Sequence, residues 1–216
     1  MPNAIKTLCC FGDSWPAGAE LAGSDFSKRF PNLIAQNLAV QCKNFAEGGT
    51  SIDQAAHRFL SMLTEIRWSK GGVLFCLTAF ERGIFFVNGE PTELHPAVKQ
   101  TANTSYYAHI YSDELHEFNR IRNVLLVQSL CKNYNIPLWF VCNWNRNPNH
   151  VLIDNSKFYS RSLIEVLGLD GWHGWRPGVF DQMINHEYIT PNANHPNLQG
   201  HAKIADALTE WIKETL

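Results

Sequence analysis

No run of 18 apolar residues occurs anywhere in this chain, so nothing in it is expected to span a bilayer. No CxxC pair occurs either, which excludes the common zinc and redox frameworks. Lysine and arginine (18) nearly balance aspartate and glutamate (20), and no basic block stands out. With a net charge of −2, nucleic acid is not expected as a partner. There is no internal repeat and no low-complexity tract. The apolar run near the start, Ile5–Phe11, is too short for a signal sequence and leads straight into a Gly-Asp-Ser turn, so no leader is expected. His173, His186 and His201 stand at no convincing metal spacing with carboxylates, so neither a metal nor a cofactor is expected.

What is present describes an ordinary globular chain. Hydrophobic residues make up 45% and charged residues 18% of 216 residues, which reads as a single domain over 1–216 with a sizeable core. The six cysteines are Cys9, Cys10, Cys42, Cys76, Cys131 and Cys142; five lie in strand-like runs and one in a helical pattern. They read as buried reduced thiols, which places folding in a reducing cytoplasm. Seven tryptophans are a surplus, some of which could line a sugar or acyl site.

Short apolar runs alternate with helical patterns. Strands are expected at Ile5–Phe11, Val40–Phe45, Gly72–Leu77 and Ile136–Cys142. Helices are expected at Phe26–Leu38 (broken early by Pro31), Ser51–Trp68, Asp113–Asn133 and Leu198–Ile212. This alternation predicts an α/β fold with a parallel sheet between two helix layers. Two stretches depart from the pattern, about 83–112 and 143–192. Insertions of that size tend to shape a pocket at the carboxyl edge of such a sheet.

Three blocks carry chemistry. In CCFGDSW, Ser14 follows the first strand directly, at the edge where ligands bind; alone, Gly-Asp-Ser is also ordinary turn chemistry. NFAEGGTS (44–51) follows the second strand, with glycines that let backbone approach a ligand or simply shape a loop. NANHPNLQG (192–200) precedes the last helix, and His195, before a proline, is held extended.

Taken in order, the three blocks resemble those of the SGNH/GDSL hydrolases. GDSW matches the opening block, NFAEGGTS the second with Gly49 at its glycine position, and NANHPN the closing Asp-x-x-His-Pro. The resemblance implies a flavodoxin-like three-layer α/β/α sandwich with a parallel central sheet. It also implies metal-free ester hydrolysis on lipids, acyl-thioesters or acetylated sugars, so a small-molecule or carbohydrate ester is the expected partner. Ser14 would be the nucleophile, His195 the base and acid, and Asn192 the partner of the histidine. The Ser14 and Gly49 N–H groups would hold the oxyanion. GDSW with LTAFER further resembles versions associated with phage-encoded proteins, which adds a virion as a setting.

Two positions depart from the family pattern. The third block, normally Gly-x-Asn-Asp, reads TAFE (78–81), so Phe80 stands where an oxyanion-donating asparagine is expected. Asn192 stands where the family has aspartate. Arg82 could supply the missing donor or be an ordinary ion-pairing arginine; Asp181 or Glu187 could supply the carboxylate only if a loop folds back. Trp15, Phe80, Trp172 and Trp175 are the expected substrate-binding aromatics, with loop packing the alternative for the WHGW pair. A catalytically impaired carbohydrate-binding or structural protein is the alternative function. The oligomeric state is not legible.

Overall fold

The computed structural model describes residues 5–79, 82–87, 90–94, 101–144, 147–169, 186–190 and 194–216. Its centre is a parallel sheet of four strands, β1 (Thr7–Phe11), β2 (Gln41–Asn44), β3 (Gly71–Leu77) and a later strand, Leu138–Cys142, in the order β2-β1-β3-Leu138–Cys142. All three pairings are parallel, Cys10 standing opposite Asn44 on one side and Leu74 on the other. Beyond the last strand, Phe158 forms a single parallel bridge to Phe140, where a fifth strand would lie.

Side-chain parity along the strands assigns the two layers. Leu8, Cys10, Leu74, Cys76, Trp139 and Val141 face one side. There they pack on α2 (Phe30–Asn37), on a short helix at Leu163–Val166 and on the closing helix Leu198–Thr215. Cys9, Phe11, Val73, Phe75, Phe140 and Cys142 face the other side, against α3 (Ile52–Trp68) and the helix Asp113–Asn133. Strands covered on both faces read as unbroken apolar runs, which is why they were visible in the sequence. Five of the six thiols are buried and none is paired. Burial pushes Cys9, Cys131 and Cys142 up to about 12, so they behave as small apolar groups.

Prolines account for two shifted boundaries. The helix expected at Phe26–Leu38 is a 3₁₀ turn, Gly23–Lys28, followed by α2 from Phe30. Pro31 fits only the first turn of a helix, so the helix starts at it rather than running through it. The strand expected from Ile136 begins at Leu138, after Pro137, which has no N–H to give the ladder. The described residues of the stretch 83–112 include an antiparallel hairpin, β4 (Gly83–Val87) with β5 (Glu90–Leu94), and α4 (Thr101–His109). In chain order the remaining elements are α5 (Asp113–Asn133), β6 (Leu138–Cys142), α6 (Leu163–Val166) and α7 (Leu198–Thr215). Among the described residues no helix is long and apolar enough to cross a membrane.

His201 on α7 ties the two helices of the first layer together. It is fully buried, stacks on Phe30, and its Nδ1 accepts from the Phe30 N–H at 3.2 Å, satisfying an orphan donor at the start of α2. Burial, with Arg29 and His195 nearby, lowers its pKa from 6.5 to about 4. The folded state holds the ring neutral while the unfolded chain takes up the proton. Stability is therefore intact above pH 6.5 and is lost as pH falls toward 4, by on the order of 3 kcal/mol. Urea denaturation between pH 7 and pH 4.5 is expected to show this decline, and His201→Gln to flatten it.

Candidate active site at the carboxyl edge of the sheet

The chain leaves β1 through Gly12, whose φ is 147° and whose added Cβ would stand 2.8 Å from the Cys76 Cβ and 2.9 Å from the Pro16 ring. Only glycine permits so tight a turn there. Asp13 then caps a one-turn helix, α1 (Ser14–Ala17), accepting from the Trp15 N–H at 3.1 Å. Ser14 opens that helix and is 9% exposed.

Asp13 joins three strand ends. Its carboxylate also accepts from the Thr78 hydroxyl, just after β3, and from Asn143 Nδ2, just after β6, the latter at 2.7 Å. Arg82 Nη1 lies 3.8 Å from Asp13 Oδ2, with its side chain 11% exposed. A buried carboxylate that receives this many donors fixes the geometry around it.

The second block closes on the same edge. Asn44 at the end of β2 donates to the Pro16 carbonyl at 2.6 Å and accepts from the Ala46 N–H at 3.1 Å. The Glu47 N–H donates to the Gly12 carbonyl at 3.1 Å. These bonds bring Gly48 beside the serine: a Cβ added at Gly48 would lie 4.0 Å from the Ser14 Cβ. Gly49 follows with a φ of 83° and open space where its side chain would be.

The third block is held by the end of the preceding loop. The Thr190 N–H donates to the His195 carbonyl at 2.8 Å, and Ile189 bridges Pro196. Asn194 is in the left-handed region with a φ of 56°, a conformation asparagine tolerates. His195 Nδ1 lies 3.7 Å from Glu20 Oε1, on the loop that leaves α1. The placement depends on Gly200 in the first turn of α7, where an added Cβ would meet the Tyr188 carbonyl oxygen at 2.3 Å. Gly200→Ala is therefore expected to displace the loop that carries His195. It should cost about 2–3 kcal/mol in urea denaturation.

No protein-family model matches the sequence, and no curated protein matches it. Solved structures do. The esterase EstA from Pseudoalteromonas sp. matches over 97% of this chain and 98% of its own, with a TM-score of 0.54 and 13% identity. A lipolytic protein assigned to the G-D-S-L family, from Desulfitobacterium hafniense DCB-2, matches over 95% and 99%, with a TM-score of 0.52 and 11% identity. The acetyl xylan esterase Est2A from Butyrivibrio proteoclasticus matches over 97% of this chain and 64% of its own, with a TM-score of 0.54 and 12% identity. This chain has the SGNH-hydrolase fold. The matches lend no support to a phage origin.

Among the described residues, the first two blocks meet at the carboxyl edge of the sheet, and His195 of the third lies beside Glu20 on the loop that leaves α1. Ser14 and the 48–49 glycines are adjacent, and His195 is tied through Glu20 to the loop leaving the serine's own helix. Arg82 stands beside the site, paired with Asp13. Trp15, expected against a ligand, is instead fully buried and packs edge-on against Trp144 with ring centroids 4.5 Å apart. It lies two residues past the capping Asp13 and packs into the core layer beneath the turn. Phe80, Trp172, Trp175, Asn192 and Asp181 lie outside the described residues. Glu187 is exposed, with its backbone carbonyl accepting from Asn197. Sequence reasoning missed Asp13, Thr78, Asn143 and Glu20. The first three had a signal, since each is a polar residue within two positions past the end of an apolar strand. Glu20 had none.

Proposed function

We propose that this chain is a serine ester hydrolase of the SGNH type, acting on acetylated carbohydrate or small acyl esters. The observations that support the reading are the Gly48–Gly49 turn lying against Ser14 and His195 lying beside Glu20, on the turn that follows the serine's helix. Ser14 Oγ attacks the acyl carbon while His195 Nε2 takes its proton. The Ser14 and Gly49 N–H groups receive the oxyanion, and Arg82, paired with Asp13, is the candidate third donor. Collapse of the tetrahedral intermediate expels the alcohol, protonated by His195, and leaves an acyl-serine that water cleaves by the same steps. The acetyl xylan esterase among the structural matches supports the carbohydrate-ester choice.

A fluorophosphonate probe tests the reading. Ser14 is expected to become covalently labelled, with labelling absent in Ser14→Ala. Unlabelled Ser14 in the folded wild-type protein would sink it. Phe80 and Asn192 favour a second reading, a carbohydrate-binding protein that keeps the cleft without turnover. That reading expects ligand affinity that survives Ser14→Ala and no acyl-ester hydrolysis.

A further inference from the structure

We propose that Glu20 is the positioning carboxylate for His195, reaching it from the loop that leaves the nucleophile's own helix, in place of the aspartate that the closing block lacks at Asn192. The inference rests on the hydrolase reading above. Glu20 Oε1 lies 3.7 Å from His195 Nδ1. That nitrogen is the one that must be protonated if Nε2 is to accept the serine proton. A distance somewhat longer than a hydrogen bond is usual in a free site and shortens when substrate is bound.

The backbone supports the same role. Glu20 has a φ of 71°, a left-handed conformation uncommon for glutamate, and such strain gathers at functional positions. Its loop is bonded to the nucleophile's own helix. The Ala19 N–H donates to the Ser14 carbonyl at 2.9 Å, and the Gly18 N–H donates to the Trp15 carbonyl at 3.1 Å. One tight turn therefore carries both the hydroxyl and the carboxylate, and the imidazole lies against it.

His201 on α7 and Arg29 before α2 share this region, and His195 and Arg29 both act to lower His201. Glu20 is the carboxylate set beside the His195 ring. Asp13 is already taken by Trp15, Thr78 and Asn143, with Arg82 beside it. Glu20 is half exposed, so its effect is screened but present.

The test is an NMR titration of the His195 ring in wild type and in Glu20→Gln, with turnover of p-nitrophenyl acetate measured in parallel. Glu20→Gln keeps the size and backbone of the residue and removes only its charge. The His195 pKa is expected to fall by roughly one unit, and kcat/KM to fall roughly 10- to 100-fold, mostly in kcat. Adding Asn192→Asp to Glu20→Gln is expected to recover much of that loss, because the closing block then carries a carboxylate of its own. An unchanged His195 titration, unchanged turnover in Glu20→Gln, or a loss that Asn192→Asp does not recover overturns the proposal. If wild type hydrolyses no ester, the hydrolase reading fails by itself, and the titration still decides whether Glu20 and His195 act as a pair.

Discussion

On the proposed hydrolase mechanism, replacing Ser14 with alanine is expected to lower ester turnover by roughly 10³-fold or more while leaving the fold intact. The size of the effect follows from the chemistry. Without a hydroxyl there is no acyl-enzyme, and only binding and the oxyanion donors remain to assist water. The absence of a stability cost follows from the structure. The Ser14 side chain makes no hydrogen bond among the described residues, and its place in the first turn of α1 suits alanine equally well. The helix keeps its cap, because the capping carboxylate belongs to Asp13. Thermal denaturation should therefore move little while kcat collapses, and a matching loss of stability would show that the serine is structural. Substrate binding measured by calorimetry should persist in the variant, which separates loss of chemistry from loss of the cleft.

Asp13→Ala is expected to have the largest effect on stability, about 3–5 kcal/mol in urea denaturation. Three donors lose their acceptor: the Trp15 N–H, the Thr78 hydroxyl and the Asn143 amide. All three residues are at most 3% exposed, so water does not replace the lost partner without a rearrangement. Arg82, 11% exposed and 3.8 Å away, is left as a nearly buried cation beside the gap. Loss of the helix cap contributes about 1 kcal/mol of the total. A domain of this kind has only about 5–15 kcal/mol in all, so the variant should be close to its folding limit at physiological temperature. Asp13→Asn should be milder, since one acceptor oxygen survives. If Asp13→Ala melts like wild type, the carboxylate network does not hold the strand ends together.

Much of the fold was legible because periodicity reports burial. Gly72–Leu77 reads as apolar throughout, and β3 is buried along its whole length. Asp113–Asn133 was bounded at both ends by its own residues: Ser112 caps α5 by accepting from the Leu115 N–H at 3.1 Å, and the helix ends at Asn133. The hairpin β4–β5 was not legible, since GIFFV is as apolar as a core strand and its pairing partner EPTEL carries little strand signal. A two-stranded pair is specified by its partner and its turn more than by either strand alone.

The sequence by itself determined the strand-helix alternation, the parity that sends Cys9 and Cys10 to opposite layers, and the three ordered blocks containing Ser14, Gly49 and His195. Those properties are local, set by side-chain period, proline and glycine, and so each short window carries its own record of them. Only the tertiary structure decided that Asp13 would join the ends of β1, β3 and β6, that Trp15 would enter the core, and that Glu20 would lie beside His195. Such meetings are fixed by how the strands order themselves in the sheet and how loops cross its edge. Residues brought together that way share no spacing along the chain, so nothing in their own neighbourhoods announces the contact.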